Sequence, residues 1–446
     1  MLPGRRACWR TASTLRGRVH LRPERSINLA VFRIAVVALL LASNEWRNAV
    51  ANARFPEALR VAPEGLAWAL AIVPITPGVA RVAQACFLMG ATLALLGAYA
   101  RVSLVVATLS GLYLFALPQL TGSVLHDMHL LWFAALLAAS PCADALSVDA
   151  WTARKNGHPL PSAPSAAYAW PLVTARVLLG LVYFFPGFWK LASGGWAWIA
   201  SDNLRNQMYW KWYEHDWVPA VRIDALPLVC RACALGVVLF ELSFLPLAIW
   251  KRTRPVAAIG GIAFHVATQA LMRIGFVGLW GCYVALVDWR WLAAREDAGE
   301  ARKLGRAWWL GVAIVIAVFV QGARGAVQAW PFACYPTFQW LASDEIPDVV
   351  MTATYADGTS ARVPQLPKSQ AAWGTAWALT GARGTRPTDA ALRAYWQSAS
   401  RDPRVEAITH GAREIRFTRG WFSVLPADRG QPPRREDVLG SITLPP

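Results

Sequence analysis

Lys190 follows the apolar run Tyr168 to Phe188 in the stretch YFFPGFWKLASGGW, and His265 sits inside a second run, IAFHVATQALMRIGF. An ionisable side chain at membrane depth is expensive and marks a functional candidate. A lysine in a low-dielectric pocket has its charged form disfavoured and can act as a neutral base, while a nearby histidine donates to, or orients, a substrate oxygen. Both residues also have plainer roles. A lysine at a helix end snorkels to the head groups, and a membrane histidine bonds a neighbouring helix. His126 and His129 open another apolar run and extend the set. Their i, i+3 spacing has only Asp127 beside it, which does not complete a metal site. Glu241, in VVLFELSFLPL, either pairs with an arginine or holds a proton, and Arg33 is expected to snorkel to the cytoplasmic side.

The elements that must carry these groups are membrane helices. Of 446 residues, 56% are hydrophobic and only 16% charged, a balance that soluble domains rarely show. The mean hydropathy is +0.33. The 24 tryptophans suit membrane interfaces. The net charge of +17 gathers in the N-terminal tail and short loops, which excludes a nucleic-acid groove in favour of positive-inside topology. Cys8, Cys86, Cys142, Cys230, Cys233, Cys282 and Cys334 form no disulfide framework. The pair Cys230 and Cys233 has redox-motif spacing without thioredoxin-like context, so it reads as structural. No cleavage site of the small-residue type follows the basic N-terminus, so the first helix reads as an uncleaved anchor.

Apolar runs fall at 27–43, 82–100, 102–117, 128–142, 168–188, 233–250, 256–272, 275–287 and 307–321. They give about nine spans, several shorter than the roughly 20 residues that crossing requires. Gly65 to Ile75 reads as re-entrant or interfacial. Arg5, Arg6, Arg10, Arg16, Arg18, Arg22 and Arg25 precede the first span, which puts the N-terminus in the cytoplasm. Alternation then places Arg101, the 143–167 loop, Lys251 to Arg254 and the 288–306 loop inside. Residues 323–446 fall outside, and Lys190, His126, His129 and His265 share the outer half. In that tail an Asp357–Gly358 turn predicts a hairpin, Thr388 to Ser400 a helix capped by Thr388, and AREIRFTRGWFSV a further strand. The fold class is an all-α polytopic membrane protein with a small C-terminal α+β extramembrane domain. Residues 1–26 are its basic tail, 27–322 its membrane domain and 323–446 its outer domain.

On these residues the chain resembles the vitamin K-dependent γ-carboxylase family, part of the larger group of horizontally transferred transmembrane (HTTM) proteins. His126 opens a span that ends in SPCADALSVDAW, similar to the family's signature through Ser147 and Asp149. YFFPGFWKLASGGW resembles its aromatic block through Tyr183, Phe184, Gly187, Lys190, Leu191 and Trp196. FELSF, then Phe264–His265, Ile274 to Phe276 and ATYADGTSARV follow in order. The resemblance implies a membrane enzyme that oxygenates reduced vitamin K or a menaquinol with O2 to its epoxide and uses the resulting strong base to add CO2 to glutamate. It implies Lys190 as the amine that deprotonates the hydroquinone, and His126 and His265 as quinone or oxyanion contacts. His129, Tyr183, Phe184, Trp196 and Glu241 join them on the cofactor-binding side. Trp189 replaces the first of the family's two adjacent lysines, His129 is an extra histidine, and the outer domain is too short for the region that grips a substrate propeptide. Partners would be lipid, quinone and a periplasmic or secreted protein bearing glutamate, with no nucleic acid. The Ala/Arg-rich composition points to a high-GC bacterium, hence an inner membrane and a periplasmic tail. A non-enzymatic scaffold or lipid-binding assembly factor, or a transporter using Glu241 and His265, are the alternatives.

Overall fold

The computed structural model describes every residue except 1–20, 62–64, 67–71, 123–126, 162, 293–299, 327–328, 335–336, 366–375, 377, 381–385 and 446. His126 and residues 67–71 of the segment 65–75 therefore lie outside the described residues. The apolar runs fold as α1 (Ser26–Ala42), α2 (Pro77–Leu96), α3 (Ala100–Ala116) and α4 (Met128–Ala138). After a short α5 (Val148–Lys155) comes α6 (Ala166–Gly194), then α7 (Asn203–Glu214), α8 (Pro227–Ile249) and α9 (Arg254–Met272). The last apolar pieces are α10 (Val277–Trp280), continued by a 3-10 turn to Leu286, and α11 (Trp308–Ala323).

Length and composition qualify five segments to cross a membrane: Pro77–Leu96, Ala100–Thr121, Ala166–Gly194, Pro227–Ile249 and Arg254–Met272. The other apolar helices, Ser26–Ala42, Met128–Ala138, Val277–Leu286 and Trp308–Ala323, are shorter, so the expected nine crossings do not follow from the structure. The start of each run shifts where local chemistry decides it. Thr76 accepts from Val79 N and Pro77 occupies the first turn, so α2 begins before the purely apolar stretch.

At 29 residues, α6 is about 43 Å long, more than the hydrocarbon thickness of about 30 Å. It is gripped on two sides by glycine contacts. A Cβ at Gly180 would stand 2.2 Å from Leu245, and one at Gly187 2.8 Å from Glu241 Cβ, so α8 lies directly on these two positions. From the opposite helix, Gly322 and Gly311 of α11 receive Phe185 and Thr174 of α6. Small residues let helix backbones approach where the lipid supplies no hydrophobic drive.

The Ser-Val-Asp signature turns out to be a joint. Ser147 accepts from Ala150 N and caps α5. Asp149 accepts from Tyr99 N and Ala100 N at 2.9 and 3.0 Å, satisfying the first donors of α3. Arg33 does not snorkel. It is 0% exposed and donates to Cys142 O at 3.0 Å and Leu146 O at 2.5 Å, because those loop carbonyls offer the partners that a head group would have supplied. Glu24 pairs with Ser165 and Arg302 with Asp144 at this same end.

The opposite end carries an antiparallel sheet in the order β2-β1-β3-β4. Its strands are β1 (Glu345–Tyr355), β2 (Ser360–Arg362), β3 (Ala412–Ser423) and β4 (Arg435–Thr443). The Asp357–Gly358 hairpin forms, with Gly358 at φ +84°. The capped helix forms as α12 (Asp389–Ala399), with Thr388 accepting from Ala391 N, and α13 (Pro403–Thr409) follows. Ile346, Val350 and Phe422 pack on Met208, Trp212 and Tyr213 of α7, and Arg429 bonds the carbonyls of Trp212 and Trp217. The sheet, α7 and the loop carrying Leu59 thus share one end of the bundle. Which end faces the cytoplasm rests on loop charge. Among the described cysteines all are free, and Cys230 donates its thiol to Ile223 O, a packing role.

Candidate functional site

Tyr183, Gly187 and Lys190 recur at helical spacing and lie on the face of α6 turned to α8. Gly187 admits the Glu241 stem, and Lys190, one turn further on, meets its carboxylate. Lys190 Nζ donates to Glu241 Oε1 at 2.8 Å and Oε2 at 2.9 Å, and to Thr337 O at 3.4 Å. The helix continues four residues past Lys190, which is 3% exposed and has Trp198 under its ammonium at 5.4 Å. It is therefore a buried partner rather than a group at a membrane edge. Glu241 pairs with this lysine and not with an arginine.

The pair lines an apolar cavity of about 110 Å³ closed by Pro186, Trp198, Phe264, Phe276 and Phe338. His265 joins it from α9, 3% exposed, with its Nε2 bonded to Tyr183 Oη. Phe276 lies with its ring 5.4 Å from that of His265. Its φ of +33°, like the +56° of Arg273, is a left-handed conformation that a bulky residue adopts only under constraint. The Ile-Gly-Phe stretch is thus a strained corner at the cavity wall.

The structure brings together Lys190, Glu241, Tyr183 and His265 of the expected set. His129 stands apart: its Nε2 donates to Gly278 O at 3.0 Å and its ring meets the edge of Phe133, a helix-joining role. Phe184 packs on Phe185 and Phe188 away from the cavity, and Trp196 is 67% exposed beyond the helix end. His129, Phe184 and Trp196 are accordingly not among the cavity-lining residues. Spacing gave no sign of Tyr283, which bonds Tyr183, nor of Gln207 and Trp198 from the segment between spans. The one signal for Tyr283 was the Gly260–Gly261 pair one turn before His265. Among the described residues, no group of three histidine, cysteine or acidic side chains is placed to hold a metal.

Residues 21–288, more than half of the chain, match the family model of the HTTM domain. The chain belongs to the HTTM domain family. No curated protein and no solved structure matches it. The HTTM match takes in Lys190, Glu241, His265, Tyr183 and Tyr283 and ends before α11. Thr337 and Phe338, which close the cavity over the pair, come from beyond the matched HTTM region.

Proposed function

We propose that this HTTM protein is a vitamin K-dependent carboxylase-like membrane oxidoreductase. Its substrate would be a reduced naphthoquinone, oxygenated to the epoxide with O2 and with release of water. Coupled γ-carboxylation would use CO2 and a glutamate-bearing periplasmic protein. The observation that carries the reading is a buried Lys–Glu pair, with a histidine, in the wall of an otherwise apolar cavity. HTTM domains occur in carboxylase-like membrane proteins of this kind.

The residues fit a quinol head group. Aromatic walls take a ring face, His265 Nδ1 is buried without a protein partner, and Lys190 lines the same cavity. A cavity of 110 Å³ is near the size that accepts a single six-membered ring, so a bicyclic head group draws on the open mouth. The quinol, when bound, supplies the acidic hydroxyl and the electrons for oxygen. The protein's part is proton handling. Lys190 and Glu241 hold their protons as one unit. When the hydroxyl proton enters this unit, Glu241 ends protonated and Lys190 ends as an ammonium facing the new oxyanion. The base is therefore the pair, not a lone neutral amine. Trp198, Phe338 and Thr337 keep water from it.

The testing experiment is epoxide formation from menadiol or menaquinol with oxygen by the full chain in lipid nanodiscs, beside Lys190→Ala and Glu241→Gln. Epoxide from the wild type, lost in both well-folded variants, is expected. Folded wild type that yields none from any naphthoquinol sinks the reading and leaves the scaffold role.

A further inference from the structure

A buried chain of hydrogen bonds ends at the cavity wall. Tyr283 Oη bonds Tyr183 Oη, which in turn bonds His265 Nε2. None of the three residues is more than 4% exposed. With two hydroxyls and a neutral imidazole, three proton orders fill both bonds, and in one of them Tyr183 accepts from both neighbours, which leaves its own hydroxyl proton and the Nδ1 lone pair both without partners. In the first of the other two, His265 donates from Nε2 to Tyr183 and Tyr183 donates to Tyr283. The Tyr283 hydroxyl proton is then left in packed interior, because Tyr283 does not line the cavity. In the second, Tyr283 donates to Tyr183, Tyr183 donates to Nε2, and the imidazole proton sits on Nδ1. That nitrogen has no protein partner, yet His265 lines the cavity, so the surplus donor stands where a ligand oxygen can meet it. Burying polar groups without partners is costly, and only the second order leaves a single spare donor and no bare imidazole nitrogen, with that donor on a residue lining the cavity.

The sequence shows how this chain is built. Gly261 lies one turn before His265 on the same face of α9, and a Cβ there would fall 2.3 Å from Tyr283 Oη. The glycine is a notch that lets Tyr283 come up beneath the histidine. Phe244, its ring 4.2 Å from that of Tyr183, fixes the tyrosine from the other side.

We propose that Tyr283 and Tyr183 are positioning residues that hold neutral His265 as its Nδ1–H tautomer, so that Nδ1 donates to an oxygen of the cavity's ligand. Only the ligand's identity as a quinone rests on the functional reading above. The tautomer does not.

The test is nitrogen-15 NMR of the full chain in lipid bilayers with labelled histidine. Among the seven histidines, His265 is identified as the signal that disappears in His265→Gln. The expected wild-type spectrum shows a protonated Nδ1 and an unprotonated Nε2. Tyr183→Phe should release the ring to the Nε2–H form that free histidine prefers, and Gly261→Ala should do so in part. An Nε2–H wild type, or a tautomer indifferent to Tyr183→Phe, overturns the proposal. Menadione, used as probe, should shift the Nδ1–H signal; no shift at any loading overturns the donor role. The tautomer is read without turnover, so a failed epoxide assay and a failed tautomer assignment are separate results.

Discussion

Arg33 and Lys190 are both buried cations in one helical bundle, and they are satisfied in opposite ways. Arg33 donates to two fixed loop carbonyls in a packed region beside the Ser147–Asp149 joint. Lys190 donates to a titratable carboxylate and lines a cavity. The first arrangement can only hold its shape, because a carbonyl cannot take the proton. The second can exchange a proton and has room for the molecule that supplies it. A charge at membrane depth is thus a functional candidate only after its partner and its free volume are known.

The largest expected effect separates the two by activity. Lys190→Ala should lower epoxide formation by at least about 100-fold, as loss of a positioned base does. Arg33→Met should leave turnover per folded molecule unchanged, and equal losses of turnover in both would erase the distinction. Stability should not separate the single variants, only their rescue. Arg33→Met gives up two charge-assisted bonds and strands their acceptors, for a cost of about 3 kcal/mol measured by denaturant unfolding in mixed micelles. Lys190→Met alone should also destabilise, by about 3 kcal/mol, whereas Lys190→Met with Glu241→Leu should recover most of that loss. A double variant as unstable as the single would mean that the pair is structural after all.

The smallest effect concerns a charge at the sheet end of the bundle. The Arg222 guanidinium, with a bond from Tyr209, holds the Asp224 carboxyl below its ordinary range. A depressed carboxylate contributes stability above its unfolded value of about 4, and the contribution is lost as pH falls through the folded value. Asp224→Asn should flatten this acid-side slope at a cost of at most about 1 kcal/mol, since Arg222 is partly solvated. An unchanged slope below pH 4 would show that the bond contributes nothing.

Local signals carried much of this structure. The Asp357–Gly358 turn, the Thr388 cap and the apolar runs are each decided within a few residues, and each formed. The β4 strand was not legible, because Arg435 to Thr443 alternates weakly and its pairing with β3 shifts register at Phe417/Thr418. At the site, residue types pointed to Lys190, His265 and Glu241 separately. Their pairing was hidden, because Lys190 and Glu241 are joined only by the close approach that Gly187 allows. Phe184 and Trp196 look equivalent to Tyr183 in sequence, yet helix rotation turns Phe184 away from the cavity and Trp196 falls past the helix end.

The glycine contacts that grip α6 have a mechanical meaning. Held by α8 at Gly180 and Gly187 and by α11 at Gly311 and Gly322, α6 has no slack and acts as the fixed jaw of the site. Its counterpart α9 turns Val256, Ile259, Ile262 and Val266 outward. A ligand wider than one ring would have to displace α9 rather than α6, and so would load the bond between His265 and Tyr183. Ring size would then be felt first at the histidine's hydrogen bond.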